Sequence, residues 1–185
     1  MTGLRGRLLV ATPLIAEPTF RRTVVLLLED NEEGSLGLVI NRPLQVEVSS
    51  VLPLWQPYAS MPGRLFQGGP VQTDSALGLV AVAGNDLEEP LGIRRISGSF
   101  GLVDLDTPPE LVGGAVTGLR VFAGYAGWST GQLEGEIKSG SWYVVDCESR
   151  DPFTDQPVGL WRHVLRRQRG DLALMSTYPD DPSMN

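Results

Sequence analysis

The chain has 185 residues, 42% of them apolar and 20% charged, the makeup of one globular domain long enough to bury a substantial core. Twenty-two acidic against fifteen basic side chains give a formal charge of −7 and a pI near 4.7, which argues against bulk attraction to nucleic-acid phosphates. Cys147 is the only cysteine, so no intramolecular disulfide forms and a reducing cytoplasm is the expected location.

The apolar run Leu8–Ala11 is broken by Pro13 and Glu17, too short for a signal sequence or a membrane span. Strands are expected at 7–12, 23–29 and 36–41. The polar segment 30–35, which contains Gly34, reads as a hairpin loop between the last two. The run Val24-Val-Leu-Leu-Leu28 does not alternate, which predicts a strand covered on both faces. Pro43 is read as the end of the third strand, and a short helix or turn follows within 48–54. Further strands are expected at 64–67, 76–83 and 95–105, the last bent at Gly98 and Gly101. Pro108-Pro-Glu110 opens a helix to Val116, and 119–123 is a strand feeding the segment Gly124-Tyr-Ala-Gly-Trp-Ser-Thr-Gly-Gln-Leu-Glu-Gly-Glu136. Ser129 and Gln132 match a capping box for a helix after it. A strand at 142–146 and a helix capped by Asp155 and ending at Arg169, with Gly170 past its end, complete the order. The sum is an α+β fold in one domain over 1–177, with a polar, flexible tail at 178–185. Leu36-Gly-Leu-Val39 and Leu77-Gly-Leu-Val80 share four letters, but their flanks diverge and no internal repeat is assigned.

The glycine-tryptophan segment is the densest concentration of features. Gly124, Gly127 and Gly131 mark tight turns or close backbone approach, and the helix start behind them can present N–H groups to an anion. The plainer reading is tight packing of a strand-to-helix turn. Asn41-Arg42-Pro43 and Gly68-Gly69-Pro70 are loop motifs that, with Trp128, Gln132 and Glu134, form a polar pocket if the loops converge. No phosphate loop, nucleophile-base pair or metal cluster is present: His163 is the only histidine and has no ligating partners. No catalytic residue, metal or cofactor is assigned. Arg162, Arg166 and Arg169 make a basic stripe that complements a helix C-terminus, and the acidic pairs Asp104/Asp106 and Glu134/Glu136 carry no recognisable acid-base context.

Five segments in order carry a resemblance over most of the chain: Leu8-Leu-Val-Ala-Thr-Pro13, Phe20-Arg-Arg-Thr-Val-Val-Leu-Leu-Leu28, Gly34-Ser-Leu-Gly-Leu-Val-Ile-Asn-Arg-Pro43, Gly68-Gly-Pro-Val71 and Gly124 to Glu136. On these the chain resembles the YqgE/AlgH family of bacterial proteins. The resemblance implies a single mixed α/β domain with a strongly bent, barrel-like sheet. It implies little about activity, since members are largely uncharacterised and some carry a transcriptional-regulator label. Relatives often have a histidine shortly after the Gly-Gly-Pro-Val motif; here that stretch is Ser75-Ala-Leu-Gly-Leu-Val80, so no role for that histidine transfers.

The expected function is a cytoplasmic, non-catalytic binding or regulatory module that recognises a protein partner or a small anionic ligand through the surface around Trp128. The alternatives are an enzyme for a small anionic substrate, with Arg42 as clamp and Glu134 or Glu136 as general base, and a direct DNA-binding regulator. The acidic charge and the lack of a basic recognition helix weigh against the last.

Overall fold

The structure is a computed structural model that describes residues 3–82 and 92–179. Among the described residues ten strands form one curled sheet: β1 (Leu8–Ala11), β2 (Val24–Asn31), β3 (Gly34–Val39), β4 (Pro43–Glu47), β5 (Arg64–Gln67), β6 (Val71–Val82), β7 (Ile93–Ser97), β8 (Phe100–Val103), β9 (Val116–Ser129) and β10 (Trp142–Val145). The order is β10-β1-β2-β3-β9-β6-β8-β7, with β5 pairing both β4 and β9. All pairs are antiparallel except β5 with β9, so the sheet is mixed, as expected.

The long β9 organises the molecule. Eight of its first ten residues pair with β6, while Phe122 and Ala123 on the opposite edge meet β5 and Ala126–Ser129 meet β3. The bend falls at Gly124, whose φ of 75° belongs to a backbone region that favours glycine. Gly68 sits in the seam where β3 and β5 share that edge. Its N–H donates to the Ala123 carbonyl at 2.9 Å and its carbonyl accepts the Val39 N–H at 2.8 Å. A Cβ on Gly68 would lie 2.3 Å from the Gly124 carbonyl oxygen, and one on Gly69 2.2 Å from Tyr125 backbone. These glycines exist because three backbones touch.

Both faces of β2 are covered, as the unbroken run Val24–Leu28 predicts, and so are those of β1. Leu8, Val10, Leu26 and Leu28 pack with Phe66 and Phe122 under Leu160, Trp161, Val164 and Leu165; Leu9, Ala11, Val25 and Leu27 pack with Trp128, Leu133 and Trp142 on the other side. A third cluster joins β6, β8 and β9 to Trp55.

Several boundaries differ from the sequence expectation. The 95–105 segment is a hairpin of β7 and β8 that reverses at Gly98 (φ 56°), where a bend was expected. The 108–116 helix shrinks to α1 (Pro109–Val112) plus a 3-10 turn at Gly113–Ala115, because β9 already begins at Val116. Pro43 starts β4 and pairs with Phe66; proline is tolerated as the first residue of a strand, so it does not stop pairing. The glycine segment continues β9 to Ser129, and only Thr130-Gly131 separate it from α2 (Gln132–Lys138). Gly131, not Ser129, occupies the cap position, with φ 77°. Half of the expected capping box survives, since the Gln132 side chain accepts the Ser129 N–H at 3.0 Å. The expected helix from Asp155 to Arg169 is shortened to α3 (Leu160–Arg166), preceded by a 3-10 turn at Pro157–Gly159, and a further helix that was not expected, α4 (Asp171–Met175), follows Gly170. In the expected tail, the Tyr178 and Pro179 carbonyls accept hydrogen bonds from Arg22; 180–185 and residue 83 of the strand expected at 76–83 lie outside the described residues.

Candidate functional site

The end of β9, α2 and the start of β10 fold back on one another because Gly131 allows the tight reversal after Ser129. This brings Trp128, Glu136 and Trp142 together. The Trp128 and Trp142 indole N–H groups both donate to Glu136 Oε1, at 3.1 and 2.9 Å, and Gln132 Nε2 donates to Glu136 Oε2 at 3.0 Å. Gln132 and Glu136 are one helical turn apart, the spacing at which side chains meet. Phe20 completes an aromatic cluster, 6.3 Å from Trp128 and 5.8 Å edge-on to Trp142, with the two indoles 6.0 Å apart. These groups line a cleft of about 590 Å3 whose further lining includes Glu17, Ile15 and Gly127. Among the described residues no salt bridge is made to Glu136. The cleft therefore presents a half-buried carboxylate oriented by three neutral donors, between aromatic walls and beside a second acid.

The expected cluster is only partly assembled. Gly127, Trp128 and Gln132 line this cleft. Asn41 instead is buried, accepting the Val24 N–H at 3.0 Å and donating to the Arg22 carbonyl at 2.9 Å. Arg42 spends both terminal nitrogens on the Thr19 and Arg21 carbonyls, and burial lowers its pKa, with Glu17 opposing. It is a clamp on the loop that carries Phe20, not a clamp for an anion. Pro43 is in β4; Gly68, Gly69 and Gly124 form the backbone seam, and Pro70 is exposed beside it. Gly131 makes the turn, and Glu134 is exposed on α2. Phe20, Glu17 and Trp142 were not singled out from the sequence. The legible signal was Gln132–Glu136 at i,i+4 between two tryptophans.

A family model described as DUF179, AlgH-like, matches residues 8–173. The chain belongs to the AlgH-like family. A UPF0301 protein of Streptomyces coelicolor is 58% identical over 187 residues, covering 100% of this chain and 97% of that protein. A UPF0301 protein of Mycobacterium bovis is 45% identical over 181 residues, with 97% and 90% covered. Among solved structures, a crystal structure of a Corynebacterium diphtheriae protein superposes with a TM-score of 0.90 at 34% identity, covering 96% of this chain and 93% of that one. The solution structure of AlgH from Pseudomonas aeruginosa gives 0.70 at 29% identity, covering 97% and 96%. The AlgH-like family is uncharacterised in activity, and these likenesses support the curled α+β sheet. No helix among the described residues is long and apolar enough to cross a membrane.

Proposed function

We propose that this AlgH-like protein is a cytoplasmic, non-catalytic binding module whose tryptophan cleft captures a cationic group, an arginine, a lysine or an alkylated ammonium, presented by a partner protein. The observation that carries the reading is the Glu136 carboxylate held by two indoles and Gln132 inside the aromatic cleft. A cation entering there gains charge-assisted hydrogen bonding and attraction to the rings, and Glu17 adds to the same field. The acidic net charge of the chain favours approach of a basic partner. This replaces the small anionic ligand expected at the surface around Trp128.

The enzyme reading loses its substrate clamp with Arg42, although Glu136 faces a cleft. The DNA-binding reading would need α4 as recognition helix after α3, but its sequence Asp171-Leu-Ala-Leu-Met175 contains no basic residue.

The test is a tryptophan-fluorescence titration with tetramethylammonium, arginine amide and trimethyl-lysine peptides. We expect a saturable, salt-sensitive response that Glu136→Gln weakens by about tenfold, the equivalent of ~1.4 kcal/mol. Glu136→Gln keeps an acceptor for the indoles, whereas truncation of Trp128, 6% exposed, would open a cavity in the core. A flat titration with every cation rejects the proposal.

A further inference from the structure

A second cavity, of about 210 Å3, shares β9 with the tryptophan cleft but none of its lining residues. Its walls include Leu28, Leu36, Leu77 and Leu102, from four different strands, and Glu29 and Arg94 also line it. The volume is below the ~300 Å3 at which sites for drug-sized ligands begin, which limits the occupant to a small metabolite.

The surrounding strands are irregular where they meet this space. Consecutive side chains of a regular strand point to opposite faces, yet Leu28 and Glu29 both line the cavity, and the register of β2 against β3 shifts between Leu27 and Glu29. The shift turns a carboxylate toward the same opening as an apolar wall, a use of bulges common beside functional sites. β6 loses register with β9 between Val71 and Ala76, and there Gln72, another lining residue, holds a φ of 49°. A non-glycine residue in that region is costly and marks a site worth testing for function.

Arg94 Nη2 stands 3.7 Å from Glu29 Oε1, with side chains 62% and 46% exposed. So open a pair contributes little to stability and is easily parted. We propose that this cavity binds a free α-amino acid with an apolar side chain: Arg94 receives the carboxylate, Glu29 the ammonium, and the leucine walls the side chain. A simple anion or cation would satisfy one of the two charges and leave the other without its partner; a zwitterion satisfies both.

Two-dimensional amide NMR of the full chain tests this with L-leucine, isopentylamine, which lacks the carboxylate, and 4-methylpentanoate, which lacks the ammonium. Leucine is expected to produce saturable shifts at Leu36, Leu77, Leu102 and Tyr125, with affinity at least about tenfold above that of either half-charged analogue. Glu29→Gln, at a half-buried position, and Arg94→Gln, at an exposed one, should each lower leucine affinity by a similar factor while the unliganded spectra stay native. Absence of shifts at these amides up to the solubility limit of leucine overturns the proposal, as does equal binding of either analogue or undiminished binding by both variants.

Discussion

Arg120 shows how much a single residue can hold in place. It is 1% exposed, and among the described residues it is the only basic side chain that is fully buried and no carboxylate pairs with it directly. Its Nη1 donates to the Pro152 and Thr154 carbonyls at 3.0 and 2.9 Å, its Nη2 donates to the Met61 carbonyl, and its guanidinium lies 4.3 Å from the Phe66 ring centre. Burial pulls its pKa down to about 10, with Asp155 opposing, so it remains charged at neutral pH. Arg120→Met should cost about 3 kcal/mol or more, because it leaves buried carbonyls unpaired; at this chain length that lowers Tm by about 6–12 °C, measurable by calorimetry. Cys147 is a second case. Burial first, then Asp151, pushes its thiol above the ordinary range against the opposing Arg167. The folded state thus retains a proton that the unfolded chain loses near pH ~8.5. The stability this group contributes is present below that pH and declines as pH rises through it. Alkylation by iodoacetamide should stay slow in the folded protein between about pH 8 and 9 and become fast in urea.

At the scale of elements, the loop from Glu17 to Thr23 depends on residues between β3 and β4. Asn41 and Arg42 bind the carbonyls of Thr19, Arg21 and Arg22, and so fix Phe20 against the two tryptophans. Asn41→Ala should destabilise by about 1–3 kcal/mol, since the Val24 N–H loses its acceptor in the core; denaturant unfolding checks this. Arg42→Gln should leave the sheet intact but speed hydrogen exchange of the amides from Thr19 to Arg22 and alter tryptophan emission. Unchanged exchange would show that the loop holds itself. The contacts of the Asn-Arg-Pro motif are not legible in the sequence: its polar groups face backbone carbonyls distant along the chain, and nothing local in the motif reveals them.

Across the whole molecule, the seam of Gly68, Gly69 and Gly124 joins the half of the sheet built on β1–β3 to the half built on β6–β8. Gly69→Ala would place a Cβ within 2.2 Å of Tyr125 backbone, which no side-chain rotation relieves. Its cost should be about 3 kcal/mol or more, from overpacking together with backbone shift. Gly98→Ala is the contrast: the position has a φ of 56° and open space around it, so only about 1–2 kcal/mol of conformational cost is expected. Gly69 also has a positive φ, of 155°, so the excess of its urea midpoint shift over that of Gly98→Ala, at equal m-values, reports the added cost of close approach.

Sequence alone determined β1 and β2, because burial on both faces writes itself as an unbroken apolar run, and it placed β3 and β10 by their apolar content although each is only partly buried. It also located the glycines and tryptophans around which the sheet turns, and five ordered segments carried the family. It did not determine that Gly124–Ser129 continues a strand, because glycine-rich sequence is a poor strand former and only pairing with β3 and β6 holds it extended. Nor did it reveal which polar residues meet. Glu136 is brought to Trp142 by a turn at Gly131, and Glu29 to Arg94 by a register shift in β2; both contacts come from chain reversals and strand pairing, which no local pattern encodes.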